Sequence, residues 1–256
     1  MSGTKSGLYF DLEWRITLFT VIMAPLMLGL GFWQLQRAEE KATLGASFEA
    51  RQQQRPASLS LLWEQPAQSL AYLPVRVSGD YSPDQYFLLD NQIDGGRFGY
   101  QVLSVFLLAH SENSVLVNRG WIAGDPGTRV LPAVPVIEGP VDVSGYVYVA
   151  PGEPYLLAEQ QLGEAWPKVI QAVEMDKLRP AVAGQHSTTV FPYPVRIAAG
   201  EQGALTVNWQ VVNMSPQKHQ GYAVQWFAMA AVLVVFYLLR SSNLWQVISG
   251  VWRTDK

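Results

Sequence analysis

The stretch Pro216–Leu239, PQKHQGYAVQWFAMAAVLVVFYLL, decides the architecture of this chain. From Gln220 to Leu239 it holds no Asp, Glu, Lys, Arg or His, and Arg240 closes the run. About 20 such residues at ~1.5 Å rise cross the roughly 30 Å hydrocarbon core of a bilayer, so a transmembrane helix is expected over 219–239. In a helix that begins just before His219, the residues Tyr222, Ala223, Trp226 and Phe227 fall at i+3, i+4, i+7 and i+8 and share its face. One imidazole and three aromatic rings then stand at the mouth of a membrane helix. Two readings stay open at this point: an interfacial aromatic belt with an incidental histidine, or a face that holds a ligand.

A second uncharged run, Ile16–Leu35 (ITLFTVIMAPLMLGLGFWQL), lies near the other end, behind a polar tail over 1–15. It continues into Trp33, Gln34, Gln36 and Arg37 with no small-residue cleavage site, so a retained transmembrane helix over 16–36 is expected. Trp14 and Trp33 lie about 28 Å apart along such a helix, the separation of two interfacial rings. Gly29 and Gly31 are expected to let a second helix approach closely. Gly29, Trp33, Arg37 and Lys41 recur at i+4 and form an aromatic and basic face where the helix leaves the apolar run; snorkelling side chains are the plainer reading. Two spans place both tails, 1–15 and 240–256, on one side. Lys and Arg near the spans number five on the tail side (Lys5, Arg15, Arg240, Arg253, Lys256) and five on the loop side (Arg37, Lys41, Arg51, Arg55, Lys218). Charge therefore leaves the side of the long segment open, and a loop of that length is translocated largely regardless of charge.

Between the spans, 37–218, the period changes. Tyr72–Val77, Tyr86–Asp90, Tyr100–Leu108, Val115–Ile122, Val141–Val149, Val190–Ile197 and Leu205–Val212 are short β-branched and aromatic runs, divided by turn signals such as Asp94-Gly95-Gly96 and Gly124-Asp125-Pro126-Gly127. They predict one antiparallel β-rich domain, barrel- or sandwich-like, with a single short helix over Val173–Val182. The whole chain thus reads as a membrane protein of α+β class, two transmembrane helices flanking that domain.

The 256 residues carry a formal charge of −3, 15% charged and 49% hydrophobic residues, and no cysteine. No basic excess points to nucleic acid, and thiolate metal sites and disulfides are excluded. There is no G-x-S-x-G, H-E-x-x-H or Walker loop, and Gly95-Gly96-Arg97-Phe98-Gly99 suits a hairpin turn better than a phosphate cradle. His110, His186 and His219 show no metal-ligand spacing. Arg119 in Asn118-Arg119-Gly120-Trp121 has the geometry to bind a carboxylate, although an arginine satisfied within its own domain is the plainer expectation.

Gly31-Phe32-Trp33-Gln34-Leu35-Gln36-Arg37 with Lys41, then Val117-Asn118-Arg119-Gly120-Trp121-Ile122, Gly145 with Pro151, Asp176 after Trp166-Pro167, and finally His219 with Tyr222-Ala223, Trp226 and Phe227 occur in an order that resembles the surfeit locus protein family of cytochrome c oxidase assembly factors. The resemblance runs from about Gly31 to Ala230; Lys218 and Gln225 depart from it, where asparagine and threonine are expected. It implies a non-enzymatic membrane protein with cytoplasmic tails and a periplasmic main domain. With no transit peptide in view, a bacterial inner membrane is expected. It further implies transient binding of haem a, with His219 as axial ligand to the haem iron and Tyr222, Trp226, Phe227 and Trp33 covering the macrocycle. Arg37 would pair with a propionate, as would Lys41 or Lys218. The implied partners are subunit I of the oxidase, haem A synthase and membrane lipid. A scaffold that holds oxidase subunits without touching haem is the rival, and a quinone-linked membrane enzyme a distant one.

Overall fold

Trp14–Gln52 contains one residue hostile to a helix, Pro25, and forms a continuous 39-residue helix, α1. In the computed structural model the described residues are 12–128, 130–150, 152, 156, 159–186, 188–209 and 214–242. Most of both expected tails, and the end of the expected run Leu205–Val212, lie outside them. The chain divides into two units, Met1–Ala46 with Val211–Lys256, and Ser47–Gln210.

In the second unit α1 is followed by β1 (Ala57–Ser58), a 3-10 turn at Leu59–Leu61, α2 (Ala67–Leu70), β2 (Pro74–Asp94), β3 (Arg97–Leu108), β4 (Asn113–Ala123), β5 (Val141–Val147), β6 (Lys168–Ile170), α3 (Met175–His186), β7 (Thr189–Val190) and β8 (Val195–Ile197). The pairings β2–β3, β3–β4, β4–β8, β8–β5 and β5–β2 close a ring, so the architecture is barrel-like rather than a sandwich. The expected antiparallel sheet is in fact mixed. β4–β8, β4–β7, β2–β6 and β1–β2 are parallel pairs. The reason is connectivity: β8 returns to β4 only after β5, β6 and α3, a crossover long enough to restore the strand direction.

Two further expectations need correction. Tyr72–Val77 and Tyr86–Asp90 belong to one long strand, β2, whose register against β3 shifts between Tyr81 and Tyr86. Pro83 sits in that shift, where a missing N–H breaks no ladder bond. Val190–Ile197 splits into β7 and β8, because Pro192 and Pro194 cannot donate to a ladder. Of Leu205–Val212, the described part contributes only a bridge from Thr206 to Trp121. The Asp94-Gly95-Gly96 signal does make the β2–β3 hairpin, with both glycines at positive φ (54° and 77°).

Alternation sorts the strands' side chains. Val75, Val77, Tyr81, Phe106, Val115, Val117, Val143, Val147, Val195 and Ile197 fill the inside of the ring. Phe87, Leu103, Val105 and Leu116 point the other way and pack beneath Ile170 and the α3 residues Leu178 and Val182. Both faces of β3 and β4 are therefore buried, which is why Val115–Val117 reads as an unbroken apolar run.

The first unit is a helix pair. α4 (Pro216–Ser241) begins with Pro216 at its first position, where the missing N–H costs nothing. Both α1 and α4 are long and apolar enough to cross a membrane. They run antiparallel, since Thr17 meets Tyr237 (3.1 Å between hydroxyls) while Gln34 meets His219. Arg240 lies 3.8 Å from Glu13. The buried residues of the pair are small: Thr20, Ala24, Gly31 and Ala38 on α1, Ala223 and Ala230 on α4. Large apolar side chains such as Phe19, Ile22, Leu26 and Val235 are exposed instead. That inversion of soluble-protein burial suits helices packed through close backbone approach.

Gly31 carries this contact. A Cβ there would lie 2.5–2.8 Å from three ring atoms of Phe227. Gly29 does not share it, contrary to expectation, because nothing lies within 4 Å of where its Cβ would be. Two residues turn a helix by about 200°, so Gly29 faces away when Gly31 faces α4.

Candidate functional site at the helix pair

His219 stands in the first turn of α4, held by the proline-initiated start and by the Lys218 N–H, which donates to Ser215 O at 3.1 Å. On α1, Gln34 falls between Gly31 and Ala38 on the stripe that faces α4. Nδ1 of His219 lies 2.8 Å from Oε1 of Gln34. An amide oxygen only accepts, so Nδ1 is the donor in this contact and Nε2 is the nitrogen left for another partner. Among the described residues Nε2 has no hydrogen-bond partner. The imidazole is half-buried.

The expected aromatic face divides in two. Phe227 turns toward α1, where it packs edge-on against Phe32 at 5.2 Å between ring centres and fills the space over Gly31. Tyr222 is 45% exposed and Trp226 half-buried. Trp33 is 48% exposed, and the Arg37 guanidinium lies 5.7 Å over its ring, so these two pair with each other. Arg37 also donates to Glu40 at 2.7 Å. Lys218 is exposed and Lys41 half-buried. The structure thus brings His219 and Phe227 to α1, but through Gln34 and Phe32 rather than through Trp33. Gln34 and Phe32 were missed by sequence reasoning. The signal was present: Ala24, Gly31 and Ala38 recur every seven residues and mark the facing stripe, on which Gln34 is a polar member beside Thr17 and Thr20.

The remaining sequence candidates lie in the second unit. Arg119 lies inside the ring end at 3% exposure, its Nε donating to Gly203 O at 2.7 Å and its Nη2 to Pro135 O at 2.9 Å. Its guanidinium sits 5.1 Å from the Tyr81 ring. Burial lowers the Arg119 pKa from its ordinary value, and burial pushes the Tyr81 hydroxyl up to about 12. This is an arginine satisfied by its own domain. His110 occupies the β3–β4 turn at positive φ (57°), and His186 ends α3. No group of three His, Asp or Glu able to hold a metal occurs among the described residues.

A ring of strands in one unit, and in the other a small-residue pair of helices long and apolar enough to cross a membrane, with a polar contact at one end, define the class of protein. The SURF1 family model matches residues 21–231, and the chain belongs to that family. The family is one of cytochrome c oxidase assembly factors, not of enzymes. Among similar proteins, a SURF1-like protein of Monosiga brevicollis is 24% identical over 82% of this chain and 81% of its own length. Surfeit locus protein 1 of Homo sapiens is 31% identical over 57% of this chain and 52% of its own. A SURF1-like protein of Rickettsia felis is 29% identical over 43% and 47%. The chain thus spans about half the length of the last two.

Proposed function

We propose that this chain aids cytochrome c oxidase assembly by holding haem a at the helix pair and passing it to subunit I of the oxidase. The observation that carries the reading is the Gln34–His219 hydrogen bond, which orients the imidazole and leaves Nε2 without a partner among the described residues. Iron-ligating histidines commonly hold their other ring nitrogen in such a bond, which fixes tautomer and orientation. His219 Nε2 would hold a bound haem, which would supply an iron able to take an imidazole nitrogen as ligand. Tyr222 and Trp226, partly exposed beside His219, provide ring surface for an apolar macrocycle. Lys218 offers a charge to a propionate, whereas Arg37 would first have to leave Glu40. One half-exposed ligand suits a carrier, which must also release its cargo. The reading places the β-barrel unit on the periplasmic side of a bacterial inner membrane, with haem A synthase as the donor side.

Haem co-purification tests it. Wild-type protein isolated from cells that make haem a should carry a haem absorbance band, and His219→Ala should lose most of it at unchanged membrane abundance. His219→Met should keep part of it with a shifted spectrum. An unaltered band in His219→Ala would reject the ligand assignment and leave the protein as a scaffold for oxidase subunits.

A further inference from the structure

Near His219, two contacts between α1 and α4 have a defined shape. Nδ1 of His219 meets Oε1 of Gln34 at 2.8 Å, and the Phe227 ring sits over Gly31. Eight residues separate His219 from Phe227, about 12 Å along α4 and roughly 80° round its axis. Three separate Gly31 from Gln34, about 4.5 Å along α1. The two contacts therefore lie at different heights and on different bearings. A helix held at one point can still turn about it, whereas a helix held at both has one rotation and one height.

What lies around these contacts is smooth. Ala223, between His219 and Phe227, is fully buried, and the other buried apolar residues of the pair are Ala24, Gly31, Ala38 and Ala230. Packed helices resist rotation through side-chain ridges set into grooves, and alanine and glycine raise almost none. The next hydrogen bond across the pair among the described residues, Thr17–Tyr237, lies ten residues beyond Phe227 on α4, about 15 Å away. Phe227 is well held. Its Cδ1, Cε1 and Cζ occupy the space that a side chain on residue 31 would need. Its ring stands edge-on to Phe32, 5.2 Å between centres and 71° between planes.

We infer that Phe227 is a positioning residue. Seated in the gap that Gly31 leaves, it sets the rotation and height of α4 at which His219 Nδ1 reaches Gln34, and so it aims Nε2. It acts through His219, which differs from the macrocycle-covering role that the family resemblance implies for it. That the aimed nitrogen holds haem rests on the function proposed above; the seat and its effect on the imidazole do not.

An exchange of sizes tests this. Gly31→Ala puts a methyl group where the ring edge stands. Phe227→Leu removes Cε1 and Cζ, the two ring atoms nearest to that methyl at 2.5 and 2.7 Å. Each single variant should displace His219 from Gln34. In the double variant the methyl fills the space that the ring vacates, and the contact should return. The full chain in detergent micelles is measured first without haem. Nitrogen-15 spectra of histidine-labelled protein report which ring nitrogen carries the proton, and among the three histidines the His219 signals are those missing from His219→Ala. Wild type should hold a proton on Nδ1. Both single variants should lose it to the tautomer exchange of a free imidazole, at unchanged helix content, and the double variant should regain it. Gly29→Ala, whose methyl meets nothing within 4 Å, should keep it.

Haemin is then titrated into the same set. Each single variant should bind about tenfold or more weakly, the scale on which outer partners of metal-ligating histidines act. The double variant should recover to within about threefold of wild type, whereas two independent defects would add. A wild-type ring without the Nδ1 proton, ring signals unchanged in both single variants, or a double variant no better than the singles in either measurement would overturn the inference. So would single variants that lose the ring signal yet bind haemin as wild type does. If wild type binds no haemin, the function proposed above fails, while the ring signals still decide the role of Phe227.

Discussion

Replacing Gly31 tests the helix pair at the point where α1 and α4 come closest. An added Cβ would stand 2.5 Å from Phe227 Cε1, 2.7 Å from Cζ and 2.8 Å from Cδ1. Carbon atoms rest about 3.5–4.0 Å apart, so roughly 1 Å must be found. Either the helices separate, which strips contact from Ala24, Ala38 and Ala223, or Phe227 leaves its place against Phe32. Overpacking of this kind costs about 1–3 kcal/mol, and loss of the edge-on ring pair about 0.5–1.5 kcal/mol. Alanine also gains up to about 1 kcal/mol over glycine in a helix, which masks part of the cost. Gly29→Ala isolates that gain, because its Cβ meets nothing within 4 Å. Denaturant titration in micelles should therefore find Gly29→Ala neutral or stabilised and Gly31→Ala less stable than it by about 1–3 kcal/mol. Gly31→Leu should fall further, and Gly29→Leu should remain near wild type. Equal midpoints for Gly31→Leu and Gly29→Leu would refute the packing argument.

Removing the Arg119 side chain should be severe, since Arg119→Met leaves the Gly203 and Pro135 carbonyls without their donors. At about 1–3 kcal/mol for each unsatisfied group, a loss of about 2–6 kcal/mol is expected in thermal melts. High pH should unfold the barrel through Tyr81. Its hydroxyl ionises at about 12 in the folded chain against 10.0 when exposed, so its contribution is complete below pH 10 and is lost as pH rises toward 12. Tyr81→Phe, which removes a buried hydroxyl that has no hydrogen-bond partner among the described residues, should flatten alkaline denaturation curves over that window.

How much of this was legible in the sequence follows from which forces act locally. Uninterrupted apolar runs announce the two long helices, because chain length and charge exclusion are properties of the run itself. Short β-branched and aromatic runs and paired glycines likewise announce β3, β4, β5 and the β2–β3 hairpin. The parallel return of β8 to β4 was hidden, since strand direction is set by the path of the chain and three residues carry no directional signal. Pro83 reads as a break in sequence and becomes a register shift once a neighbouring strand defines which N–H groups are needed. At the helix pair, His219 and Phe227 stood out by type. Gln34 and Phe32 did not, because an amide among apolar residues matters only when the facing helix supplies an imidazole. The assignment of close packing to Gly29 failed for the same reason. Glycines two residues apart look alike until a partner fixes which side is inward.

The position of β8 in the ring has a consequence during synthesis. β4 and β5 each have one side that only the closing segment near Val195–Ile197 can satisfy. Until that segment leaves the ribosome, both expose unpaired backbone edges, the feature by which nascent chains stick to one another. Pro216, which starts α4, follows Ile197 by fewer than twenty residues. A chain halted before Val195 would carry two open strand edges and no second helix, and quality control would meet both defects at once.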